Sequence, residues 1–210
     1  ISELVNPDYV VIGEASGLNI KTGQRGRAEI LLETFGKAAH SANSEKGVNA
    51  VKKMCRLISE LDKLQPPVHE QLGKGIMEVT DIISSPYPGA SVVPEYCRAT
   101  LDRRLLTGET KESVLAPVKE LIARLEKEDP RFSAKASFSV GKEKCYTDAE
   151  IQGERFFPGW YYDPKEDYIQ KILGKVREAG YDPELTQYSF CTNGSHYAGE
   201  QPVCTRFWQP

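Results

Sequence analysis

Several groups of residues in this chain have types and spacings that could do chemistry. Glu14 closes an apolar run, 8–13, in the context Val11-Ile12-Gly13-Glu14-Ala15-Ser16. A carboxylate held at a strand end can reach a site at the edge of a sheet, and its hard oxygen suits a zinc ion. A solvated loop glutamate is the plainer alternative. His40 follows in Gly36-Lys37-Ala38-Ala39-His40-Ser41-Ala42, where small neighbours permit close approach of another chain. Arg104 ends Leu101-Asp102-Arg103-Arg104. A guanidinium there can hold a carboxylate by two parallel hydrogen bonds, or it can pair on the surface with Asp102 or Glu109. Thr192, Asn193 and Gly194, with Ser195, form a turn signal whose backbone N–H groups can hold a carboxylate or carbonyl oxygen. An ordinary Asn-Gly turn has the same sequence.

The elements that must position these residues can be read from periodicity. The run 8–13 suits a buried strand, with Gly13 and Gly17 marking the turn after it. Residues 27–35 read as a strand stopped by Gly36. Residues 45–64 place Val48, Val51, Met54, Cys55, Ile58 and Leu61 on one helical face, and Pro66-Pro67 ends that helix. Strands are expected over 76–83 and 96–104, with a loop at 84–89. Residues 110–127 form the cleanest amphipathic helix, with Val114, Val118, Leu121 and Leu125 on its apolar face, closed by Asp129-Pro130. Residues 134–141 read as an edge strand. The order from 27 to 141 is therefore β-α-β-β-α-β, the ferredoxin-like split βαβ unit. After Gly141 comes an aromatic run, 155–162. A helix is then expected with Asp163 at its N-cap, Pro164 at its first position and Glu166 at its third.

This gives an insert, 27–141, between two pieces of another domain, 1–26 and 142–210. The flanking pieces hold one good helix and one good strand, too little for a comfortable core of their own. The formal net charge of −3 comes with no basic stripe, which argues against a nucleic-acid partner. No apolar run is long enough to span a membrane. The five cysteines are odd in number and lack a CxxC spacing, so they are read as reduced thiols of a cytoplasmic protein. A chain that opens on Ile1 without a signal-peptide pattern is expected to be processed or a fragment.

Taken in order, the stretches 8–26, 28–51, Val92-Val93-Pro94 with 101–110, and 146–199 resemble the zinc-dependent aminoacylase, carboxypeptidase and desuccinylase superfamily. That group includes acetylornithine deacetylase and succinyl-diaminopimelate desuccinylase. The resemblance is nearest to a branch of peptidases and hydrolases of selenium metabolism. It implies an α/β hydrolase whose catalytic domain carries a ferredoxin-like lid and dimerisation domain. Glu14 matches the terminal zinc-ligand carboxylate. His40 matches the lid histidine that reaches across a dimer to the partner's oxyanion, where its N–H would stabilise charge that appears only in the transition state. Arg104 matches a substrate-carboxylate ligand, and Thr192, Asn193 and Gly194 match a glycine-bearing substrate loop. Ser91 stands where several relatives have Asn, a departure that touches the lid histidine's support.

The same resemblance places the other metal ligands outside these 210 residues. A His-x-Asp motif, a bridging Asp and a Glu-Glu pair would precede Ile1, and a final His would follow Pro210. The tail 203–210 also departs from the glycine-rich strand expected there. The implied parent is a homodimeric two-zinc hydrolase cleaving an amide in a small carboxylate-bearing substrate, such as an N-acyl amino acid or a dipeptide. The chain alone is expected to bind zinc weakly or not at all and to be inactive. The competing reading is a dimerisation or ligand-binding module without catalysis, because many regulatory domains share this fold order.

Overall fold

The computed structural model describes residue 10 and residues 12–198. Of the expected first strand, Val10, Ile12 and Gly13 belong to no strand, and the remaining positions lie outside the described residues, as does the tail 203–210. The chain proper begins with β1 (Ile20–Gln24), β2 (Gly26–Phe35) and a two-residue β3 (Ala39–His40) leading into a 3-10 turn, Ser41–Lys46. Helix α1 (Ala50–Leu61) starts where the Asn49 side chain accepts a hydrogen bond from Lys52 N. The short pair β4 (Val68–His69) and β5 (Gly73–Lys74) precedes β6 (Ile76–Ser85), β7 (Val92–Val93) and β8 (Tyr96–Leu105). Helix α2 (Lys111–Glu128) opens with a reciprocal Thr110–Ser113 capping box.

Strand β9 (Ala134–Phe138) ends the expected β-α-β-β-α-β order. Pairing runs β9–β2–β8–β6, all antiparallel, with α1 and α2 over one face. Alternation along β2 shows why. Ala28, Ile30 and Leu32 are fully buried, while Arg27, Glu29, Leu31 and Glu33 on the other face stay partly exposed. The buried set meets Ala99, Leu101 and Leu105 of β8, Met54 and Leu57 of α1, and Val118 and Leu125 of α2 in one core. Residues 134–141 do not form one strand. After Phe138 the chain turns into a separate hairpin, β10 (Val140–Lys144) with β11 (Glu150–Glu154).

Strand β12 (Phe156–Phe157) then returns to β2 on the edge that β9 occupies further along, making a five-stranded sheet. The crossing is tight. A Cβ on Gly26 would lie 2.3 Å from both Gly159 N and Phe157 O, so only glycine fits. Strand β13 (Trp160–Tyr161), helix α3 (Asp167–Glu178), strand β14 (Leu185–Tyr188) and the one-turn helix α4 (Ser195–Ala198) complete the chain. A second sheet, β13–β1–β14, joins β1 antiparallel to β13 and parallel to β14. Helix α3 begins one turn later than its sequence suggests. Asp163 Oδ1 accepts Lys165 N at 2.8 Å and its carbonyl accepts Glu166 N, so the side chain expected to cap the helix closes a turn before it. No helix among the described residues is long and apolar enough to cross a membrane.

Candidate functional site

Strand alternation sends Asp102 and Arg104 to the face of the sheet that the two long helices leave uncovered. Register puts Arg27 directly across from Arg104, and Glu29 across from Asp102. Two guanidiniums facing each other across strands repel. Asp102 answers both: Arg27 Nε donates to its Oδ2 at 2.9 Å, and Arg104 Nε forms an ion pair with its Oδ1 at 2.8 Å. Arg27 also reaches Glu29 at 3.2 Å, and Arg155 lies 3.5 Å from the same carboxylate. The Arg104 side chain keeps 29% exposure. Arg103 points to the opposite face. It is buried against Glu109, to which it donates at 2.7 Å, and burial lowers its pKa against the pull of that carboxylate. Arg103 is therefore part of the fold's interior.

The loop 191–196 lies beside these arginines. Burial raises the Cys191 thiol above its ordinary value, while a hydrogen bond with Ser195 and the positive charges of Arg104 and Arg27 act the other way. His196 stands edge-on to Phe157, whose cross-strand partner on β2 is Arg27. The loop is tied internally. Thr192 Oγ1 accepts Gly194 N at 3.0 Å and donates to Gln24 Oε1 at 2.6 Å. Thr192 N donates to the same Gln24 oxygen at 3.1 Å, and Ser195, His196 and Tyr197 donate their N–H groups back to the carbonyls of Thr192, Asn193 and Gly194. A side chain at 194 would run into Trp160 at 2.8 Å, which explains the glycine. The hydroxyl of Thr192 and the N–H of Gly194 are thus committed within the loop. Asn193 is exposed, and its side-chain amide makes no hydrogen bond among the described residues.

Glu14 is exposed and faces a cavity of about 270 Å³ whose lining includes Lys21, Trp160, Tyr188 and Thr192. Burial, and then the negative charge of Glu14, raise the Tyr188 phenol. Glu14 and Thr192 therefore line the same cavity. A zinc ion would need several nitrogen, sulfur or oxygen ligands together. Among the described residues no three His, Cys, Asp or Glu side chains converge in that way. The described residues do not make up a zinc site, and Glu14 is a lone carboxylate in this respect.

His40 lies elsewhere. It follows the far end of β2, where β3 pairs with β7 and Ser41 N donates to Ser91 O at 2.9 Å. The two ends of the β2–β8 ladder, Arg27 with Arg104 and Phe35 with Tyr96, stand roughly 26 Å apart at the rise of an antiparallel strand. One chain cannot bring His40 to Arg104. The ring is exposed, and its Nδ1 accepts Ala42 N at 3.1 Å, which leaves Nε2 as the outward donor of the neutral tautomer.

Sequence reasoning singled out Glu14 and the 192–194 loop, of which Glu14 and Thr192 line one cavity, Arg104, whose charge reaches Cys191, and His40, which lies at the other end of the ladder from Arg104. It missed Gln24 and the role of Asp102 between two arginines. Gln24 gave one faint signal, a polar residue on the same strand face as the buried Thr22.

Comparison with known proteins bears on the family and the fold. Residues 22–130 match the family model of the peptidase dimerisation domain. The chain is 30% identical over 203 residues to the uncharacterized protein YgeY of Escherichia coli, covering 95% of this chain and 49% of that protein. It is 27% identical over 188 residues to succinyl-diaminopimelate desuccinylase of Paracoccus denitrificans, covering 85% and 44%. Among solved structures it resembles aminopeptidase PepT of Bacillus cereus, with a TM-score of 0.67, 16% identity, and coverage of 93% and 47%. The di-peptidase Dug1p of Saccharomyces cerevisiae gives a TM-score of 0.62 at 11% identity, covering 95% and 49%. The chain spans about half the length of the curated relatives it matches.

Proposed function

The chain belongs to the peptidase dimerisation domain family, and from that premise we propose that it pairs two subunits of an amide-bond hydrolase and holds the substrate's carboxylate. The division proposed is a lid and dimerisation unit over 27–141 set between catalytic-domain pieces 1–26 and 142–210. The substrate class proposed is a small amide with a free carboxylate, an N-acyl amino acid or a short peptide. That choice is in keeping with relatives named as a desuccinylase and a di-peptidase.

The observation that carries this reading is the contrast between Arg104 and His40. Arg104 stands near the loop 191–196, with its Nε paired to Asp102 and its side chain partly exposed. His40 stands at the other end of the ladder with a donor turned outward. In the proposed enzyme Arg104 clamps the substrate carboxylate, and Asn193 contributes its amide from a loop shaped by Thr192 and Gly194. His40 of one subunit donates to the oxyanion forming in the other subunit's site. Glu14 is proposed as a carboxylate that this chain extends toward a metal. Zinc would come to the complete enzyme through ligands not found together among the described residues, so no catalytic step is derived through it.

Pairing of two copies is proposed along β6, the outer strand of the five-stranded sheet, whose Ile82 and Ile83 are 49% and 42% exposed. An apolar strand edge left open recruits a second one. The test is amine release by the full-length protein from dipeptides and their C-terminal amides. Preference for the free carboxylate that disappears in Arg104→Ala supports the reading. No hydrolysis of any amide, with dimerisation intact, would leave a dimerisation module instead.

A further inference from the structure

We propose that Gln24, which does not itself touch substrate, is the positioning residue that sets the loop 191–196 beside Arg104. The substrate-binding half of this proposal rests on the function proposed above; the structural half does not.

Gln24 is fully buried on β1, and both ends of its amide are used. Its oxygen accepts two hydrogen bonds from one residue, Thr192 N at 3.1 Å and Thr192 Oγ1 at 2.6 Å. Its nitrogen donates to Ser195 Oγ at 2.8 Å and more weakly to Thr192 O at 3.4 Å. Ser195 Oγ in turn donates to Pro158 O at 2.7 Å, and Ser195 is itself buried. The amide therefore stitches the loop to β1, and Ser195 stitches it to the segment between β12 and β13. A carboxylate in place of the amide would accept but not donate, and an apolar side chain would do neither. Removing it would cost Thr192 and the buried Ser195 their bonds to β1, leaving Ser195 Oγ only Pro158 O and Cys191 Sγ, and Thr192 Oγ1 only Gly194 N.

The consequence concerns Asn193. Its neighbours Thr192, Gly194 and Ser195 are held by these bonds, so the backbone that carries the Asn193 side chain is fixed. Gln24 thereby sets the distance between Asn193 and the Arg104 guanidinium, two groups on elements that share no backbone pairing.

Gln24→Met in the full-length protein tests this, with Ser195→Ala as a milder variant that leaves Gln24 in place. Amide exchange over 192–196 should rise on the order of tenfold or more, with exchange in β2 and β8 unchanged. KM for a dipeptide should rise on the order of tenfold while kcat stays within about twofold. The double variant should be no worse than Gln24→Met alone, because both act through one network. Unchanged exchange over 192–196 in both variants, or an increase spread evenly through β2 and β8, overturns the proposal. Selective loosening with an unchanged KM sustains the hold of Gln24 on the loop and refutes the loop's place in substrate binding, so the two readings fail separately.

Discussion

Arg104 and Asp102 are two residues apart on one strand, on one face, and form an ion pair with Nε 2.8 Å from Oδ1. The pair ties the guanidinium to its own strand while its side chain stays 29% exposed. Replacing Arg104 with Lys keeps the charge and loses the fork. KM for a carboxylate-bearing dipeptide should rise on the order of 10–100-fold, from the loss of about 1.5–3 kcal/mol of charge-assisted bonding. The corresponding dipeptide amide should be nearly unaffected. Equal losses for both substrates would show that Arg104 does not read the carboxylate.

His40 and Arg104 sit at opposite ends of the same ladder, so they should complement each other between chains. His40→Ala and Arg104→Ala variants of the full-length protein, each impaired alone, should regain activity when mixed and refolded. Random pairing leaves about a quarter of sites with both residues intact. Recovery no greater than the sum of the two variants would place His40 outside the reaction.

Strand β6 offers the test of pairing. Ile82→Lys puts a charge on an exposed apolar edge position. Light scattering should report a monomer, while the circular dichroism spectrum stays native. A dimer that survives the change would move the interface elsewhere.

The Arg103–Glu109 pair is buried on both sides, with side-chain exposures of 5% and 11%. Glu109→Ala leaves a buried guanidinium without its partner and should cost about 3–5 kcal/mol in urea unfolding. Replacing both residues with apolar ones of similar volume should recover most of that loss. A double replacement as unstable as the single one would refute this account.

Alkali should weaken the fold through Cys97. Burial raises its thiol above the ordinary value of 9.0. Above that pH the unfolded chain loses a proton that the native state retains. The contribution is therefore complete below the unfolded value and declines as pH rises toward the folded one. Urea midpoints followed from about pH 8 to about pH 10.5 should fall less steeply in Cys97→Ala than in the unchanged protein. Parallel curves would exclude Cys97 as the source.

Local pattern was enough for most of the β-α-β-β-α-β unit. Alternation in 27–35 and 96–104 and the apolar stripe of 110–127 are properties of neighbouring residues, and each became the expected strand or helix. Arg104 could be singled out for the same reason, because its face and its partner Asp102 are both set within one strand. Other features depend on partners remote in the chain. Gln24 and Thr192 are 168 positions apart, and a glutamine carries no mark of what its amide will meet. The return of Phe156 and Phe157 to β2, and the breaking of 134–141 into a strand and a hairpin, follow from which edge of β2 was left open. The turn at Asp163 reflects a competition between two uses of one carboxylate, helix cap or turn, that composition alone leaves balanced. The separation of His40 from Arg104 is a matter of strand length and register, and it appears only when the ladder is assembled.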